Sequence, residues 1–70
     1  MTVDELSPRE REILKLLAEG FYTDEIARDL GLSKHTVRVH RTNILTKLGV
    51  HSMVRAVALF VAHDRDRRSA

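Results

Sequence analysis

Seven residues between positions 34 and 47 carry groups that can bind a polyanion and read hydrogen-bonding edges: Lys34, His35, Arg38, Arg41, Thr42, Asn43 and Lys47. At helical spacing they cover the outer face of one helix. Lysine and arginine neutralise phosphates, while arginine, threonine and asparagine also hydrogen-bond to base edges. A major groove about 12 Å wide admits one helix and offers it both. The competing reading is an ordinary solvated face of a helical hairpin, and charge placement separates the two. Residues 30–63 hold no Asp or Glu, five Lys/Arg and all four histidines, whereas residues 1–29 hold eight Asp/Glu against four Lys/Arg. A merely solvated helix is usually salted with acids three or four positions away. The formal net charge of +2 hides this division. A basic block confined to one stretch is the electrostatic footprint of a phosphate-binding face.

The element that must position these groups is a pair of helices joined by a tight turn, Thr23–Leu48. Ile26, Ala27 and Leu30 share one face of the first, with Thr23 as its expected cap and Asp24 and Glu25 in its positive first turn. Ala27 is small where two helices approach closely. Gly31 can take the positive φ that ends a helix abruptly. Ser33 then caps a helix from about Lys34 to Leu48, stopped by Gly49. Its inner face is Val37, His40 or Arg41, Ile44 and Leu48, with His40 read as a core or boundary histidine. A small residue, a glycine and an apolar residue at these offsets are what a helix-turn-helix requires.

Ahead of this pair, residues 1–6 read as a loose lead-in with Leu6 turned inward. Ser7-Pro8-Arg9-Glu10 is a helix start, with Ser7 capping, Pro8 at the first helical position and Glu10 closing a capping box. The first helix runs to about Glu19, with Ile13, Leu14 and Leu17 as its core stripe and Gly20 as its stop. Of the adjacent aromatics, Phe21 is expected to plug the core and Tyr22 to be half exposed. Base stacking is the other use for such a pair, but it serves single strands.

Ser52 caps a fourth helix, Met53 to about His63, in which Arg55 is the one polar residue before His63. Val54, Val57, Ala58 and Val61 are expected to face the domain, leaving Met53, Ala56, Phe60 and His63 pointing away. A helix apolar on all sides is buried on all sides. Its cover is either the same helix of a second copy, as a two-fold dimer, or a partner domain. Residues 64–70 alternate in charge and read as a disordered tail. Seventy residues make one domain, 7–63, at the lower limit of what a single core sustains.

Several classes are excluded. There is no cysteine, hence no disulfide framework, and a reducing cytoplasm is the natural home. No two histidines lie three or four apart on a helix, so no metal is expected. No apolar run approaches a membrane span, the start is not a signal peptide, and no nucleophilic triad or glycine-rich phosphate loop speaks for an enzyme. No cofactor is expected.

Leu6-Ser7-Pro8-Arg9-Glu10-Arg11-Glu12-Ile13-Leu14 and Ala18-Glu19-Gly20 resemble the opening of the LuxR-type (GerE/NarL-type) DNA-binding domain. Glu25-Ile26-Ala27, Leu30-Gly31-Leu32-Ser33, Thr36-Val37, His40, Asn43-Ile44-Leu45, Lys47-Leu48-Gly49-Val50 and Ala56-Val57 continue the resemblance without a gap over residues 5–62. It implies an all-α four-helix bundle with a central helix-turn-helix and a C-terminal dimerisation helix. It also implies sequence-specific binding of double-stranded DNA by a homodimeric bacterial transcription regulator, with RNA polymerase as a further partner. Carried over position by position, base contacts fall on Arg38, Val39 and Thr42. Phosphate contacts fall on Thr23, Lys34, His35, Thr36, Asn43 and Lys47, to which Arg41 is added. The dimer interface would use Met53, Ala56, Phe60 and His63. The chain departs from the family at Asp24, where relatives often carry a basic or neutral residue, and at Thr42, where they often have lysine or arginine. Two other readings stand beside this one: region 4 of a sigma factor, which would not need the apolar fourth helix, and a protein-interaction module docking through that helix.

Overall fold

The computed structural model describes residues 2–69, and the side chains of residues 2–66. A 3-10 turn, Val3–Glu5, precedes four helices: α1 (Pro8–Ala18), α2 (Thr23–Leu30), α3 (Lys34–Leu48) and α4 (Met53–Ser69). No strand occurs among the described residues, so the fold is all-α.

Each boundary has a local cause. The Ser7 hydroxyl accepts the Glu10 N–H at 3.1 Å, and the Glu10 carboxylate accepts the Ser7 N–H at 2.8 Å. This reciprocal pair satisfies two of the orphan donors at the start of α1. The Ser33 hydroxyl caps α3 by accepting the Thr36 N–H at 3.0 Å. Gly31 and Gly49 close α2 and α3 in the left-handed conformation, both at φ 68°. The Leu32 N–H then reaches back to the Ala27 carbonyl at 2.9 Å, which fixes the turn between α2 and α3. The start of α2 differs from expectation. Thr23 is its first helical residue and Tyr22 its cap, with Glu25 accepting the Tyr22 N–H at 2.8 Å.

Ile13 and Leu14 of α1, Ile26 of α2, and Val37 and Ile44 of α3 are completely buried. α1 lies against α3 and α4, and α2 lies against α3. His40 and Arg41 are both half-buried at the edge of this core. Nδ1 of His40 is buried with no hydrogen-bond partner among the described residues.

Further expectations need correction. Phe21 does not plug the core, because the turn after Gly20 carries it outward, where it is exposed. The lead-in is anchored: Val3 and Leu6 are both buried, and Arg11 donates to the Asp4 carbonyl at 3.1 Å. Helical backbone continues to Ser69, past the point at which a disordered tail was expected, while Met1 and Ala70 lie outside the described residues.

The largest correction concerns the orientation of α4. Ala56 is completely buried, and Met53, Val57 and Phe60 pack against the core. His63 is half-buried and pairs with the exposed Asp4 of the lead-in, Nε2 to Oδ1 3.3 Å. The face expected to point away is therefore the face that closes the bundle. Val54, at 80% exposure, with Ala58 and Val61, forms the outer stripe. The physical reason is shape. Small Ala56 lets α4 approach the bundle closely, with the large side chains Met53 and Phe60 on either side of it.

Candidate nucleic-acid interface

The outer face of α3 presents Arg38, Val39 and Thr42 together, and all three are exposed. Arg38 and Thr42 are one turn apart on one row, and Val39 lies beside Arg38. The Arg38 side chain has no partner among the described residues, so its five N–H donors are available. The Thr42 hydroxyl donates to the Arg38 carbonyl at 3.2 Å. His35 and Asn43 are exposed on the same helix. Thr36 is half-buried, its hydroxyl 2.9 Å from that of Ser33 within the cap.

The remaining cations are sorted by partners that lie far away in sequence. Arg41 turns from the outer face toward α2, where its Nη1 donates to the Thr23 hydroxyl at 2.8 Å. Two expected phosphate contacts, 18 residues apart, thus form one unit on the flank of α3. Lys34 pairs with Asp24 at 3.2 Å with both side chains more than half exposed. An ion pair so exposed contributes little and is readily exchanged for another anion. Asp24 nonetheless places a negative charge beside an expected phosphate contact.

Lys47, another expected phosphate contact on α3, is tied to α1. Its Nζ lies 2.8 Å from Oε1 of Glu10, whose side chain is 5% exposed. The same oxygen accepts the Ser7 N–H. Burial pushes the Glu10 carboxyl up, but the Lys47 ammonium and the Ser7 N–H outweigh it and hold the group below the usual carboxylate range. Lys47 therefore serves as the countercharge of a buried carboxylate that joins α1 to α3. Of the expected dimer residues, Ala56 is buried, Met53 and Phe60 are partly buried against the core, and His63 pairs with Asp4. Val54, Ala58 and Val61, spaced i, i+4, i+7, lie on the exposed side of α4.

Among the described residues, no cluster of His, Cys, Asp or Glu is arranged to hold a metal ion. Among the same residues, no single helix is long and apolar enough to cross a membrane.

A helix with an open basic face, set after a glycine turn onto a second helix, is the geometry of a groove-reading motif. Residues 4–60 match the family described as bacterial regulatory proteins, luxR family (GerE). The chain belongs to the luxR family. It is a helix-turn-helix DNA-binding domain of the transcription-regulator type. The chain is 53% identical over 51 residues to the transcriptional regulatory protein UhpA of Salmonella typhimurium, covering 73% of this chain and 26% of that protein. It is 44% identical over 63 residues to the nitrate/nitrite response regulator protein NarL of Escherichia coli, covering 90% of this chain and 29% of that protein. Its fold superposes on the response regulator ChrA of a heme-sensing two-component system with a TM-score of 0.76 at 37% identity, covering 86% of this chain and 29% of that one. The luxR-family domain thus spans between a quarter and a third of the length of these relatives.

Proposed function

We propose that this luxR-family domain binds operator DNA as a homodimer. α3 lies in the major groove of each half-site, and the exposed stripe of α4 packs against its copy. Arg38, Val39 and Thr42 face base edges. Arg41 with Thr23, together with Lys34, His35, Thr36 and Asn43, faces the phosphates. The observation that carries this reading is the state of the α3 outer face: exposed, free of acids along the helix, with the Arg38 guanidinium unpartnered among the described residues. A face kept only for solvation would pair that arginine on its own helix. The pairing of Arg41 with Thr23 adds support. It holds a cation at the edge of the recognition helix, where backbone contacts fix the register of a protein on a duplex.

The dimer reading is supported by the stripe Val54, Ala58 and Val61. Two such stripes related by a two-fold axis cover each other, with Ala58 small enough for close approach. Half-sites would then lie about one helical turn apart, ~34–36 Å. The names of the relatives, and the fraction of them that the chain spans, favour the output part of a response regulator. It would work in the cytoplasm and meet RNA polymerase at its promoters. A free-standing regulator uses the same contacts.

The test is selection from a pool of random-sequence duplexes, followed by sedimentation of the protein with the enriched duplex. The expected result is a motif with two related half-sites and two protein chains per duplex. Enrichment of no common motif would overturn the reading, and one chain per duplex would overturn its dimeric part.

A further inference from the structure

We infer that Thr42 reads its base as a hydrogen-bond acceptor and so selects the amino-bearing bases, adenine or cytosine, over the keto-bearing guanine and thymine. This rests on the reading that α3 occupies the major groove, and it adds the identity of the group that Thr42 recognises there.

A threonine hydroxyl has one proton and two lone pairs. In Thr42 the proton points back along the helix to the Arg38 carbonyl at 3.2 Å. Thr46, one turn on, makes the same bond to the Thr42 carbonyl at 3.1 Å. Along this row the hydroxyls donate to the backbone, in the i to i−4 pattern that threonine adopts within helices. What Thr42 shows outward is lone pairs and a methyl group. Arg38, one turn earlier, is the reverse, with five donors and no acceptor. Consecutive turns of the exposed row therefore offer a donor group and then an acceptor group.

The major-groove edges of the bases answer this pattern. Guanine presents the acceptors N7 and O6, while cytosine presents an N4 amino donor. Adenine presents an N6 amino donor beside N7, and thymine presents the O4 acceptor and its methyl. A guanine O6 or thymine O4 placed against Thr42 sets lone pair against lone pair unless the hydroxyl abandons the Arg38 carbonyl. An adenine N6 or cytosine N4 amino group donates to Thr42 and leaves the helix bond intact. Arg41 cannot substitute in this role, because its guanidinium is turned to Thr23 on the flank.

The test uses the duplex enriched by selection, with the position beneath Thr42 varied through all four base pairs and with 2-aminopurine, which lacks the 6-amino group, in place of adenine. Binding is measured for wild type, Thr42→Ser, which keeps the hydroxyl, and Thr42→Val, which keeps the shape and removes the oxygen. Circular dichroism confirms that each variant keeps its helices. Wild type and Thr42→Ser should favour adenine or cytosine over guanine, thymine and 2-aminopurine by about five- to tenfold per half-site, the scale of one hydrogen bond. Thr42→Val should bind with that preference lost. A wild-type preference for guanine or thymine, or a Thr42→Val preference equal to wild type, would overturn the assignment while leaving groove binding intact. Failure of wild type to prefer any duplex would overturn the groove reading and this inference with it.

Discussion

A single carboxylate shows how far one residue's role is set by distant neighbours. Glu10 is buried, caps α1 through Ser7 and is neutralised by Lys47. Removing the ammonium leaves a buried acceptor without its countercharge, which costs about 1–3 kcal/mol. Lys47→Ala should therefore lower the melting temperature by several degrees, since ~1 kcal/mol moves a domain of this size by about 4–8 °C. The sign of the pH dependence follows from the depressed Glu10 pKa. Its stabilisation is complete above the ordinary carboxylate value and is lost as the pH falls through the lower folded value. The stability gap between wild type and Glu10→Gln should be widest near pH 7 and shrink on acidification, as read by thermal melts across that range. A gap that widens toward acid would show that Glu10 is not held ionised. None of this was legible locally. Glu10 read correctly as a capping residue, but a partner 37 positions away leaves no mark on the pattern around either residue. Arg41 is a similar case. Its position on α3 pointed to the outer face, and only the packing of α2 shows that Thr23 draws it aside.

Helices and turns were far more readable, because their causes are short-range. The capping box at Ser7, the cap at Ser33, the left-handed Gly31 and Gly49, and the buried row Val37, Ile44 and Leu48 all arise from neighbouring residues. Gly31 needs its conformation rather than its small size, since a methyl added there would meet nothing within 4 Å. Gly31→Ala should thus cost about 1–2 kcal/mol through backbone strain alone, measured by denaturant unfolding, and Gly31→Asn less. Equal stability of all three would mean that the turn tolerates another geometry. The orientation of α4 was illegible for the opposite reason. When nearly every position from Met53 to Ala62 is apolar, periodicity cannot say which side faces the core, and the fit of Ala56 decides it. Two substitutions separate the faces. Val61→Asp should weaken self-association and duplex binding while leaving the melting temperature within a few degrees of wild type. Phe60→Asp should lower the melting temperature sharply, because it places a charge against the core. Sedimentation and thermal melts of both variants check this. A strongly destabilised Val61→Asp would contradict the orientation.

For the molecule as a whole, charge is organised by element. The acids gather in α1 and α2 and the preceding turn, while α3 and the first part of α4 are basic. Among the described residues, folding carries acids across the divide at Glu10 to Lys47, Asp24 to Lys34 and Asp4 to His63. Arg38 has no partner among the described residues and stands exposed on the open face. Affinity and selectivity should therefore reside in different residues of the luxR-family domain, with the flanking cations weakening uniformly across sequences and Arg38 discriminating among them.

The most direct check is the binding of wild type and Arg38→Ala to the selected duplex and to a scrambled one, each at two salt concentrations. Arg38→Ala should lose about 1–3 kcal/mol per half-site on the selected duplex and much less on the scrambled one, with its choice relaxed at one base pair per half-site. An equal loss on both duplexes would make Arg38 a phosphate contact and contradict the claim that the open face of α3 reads the sequence.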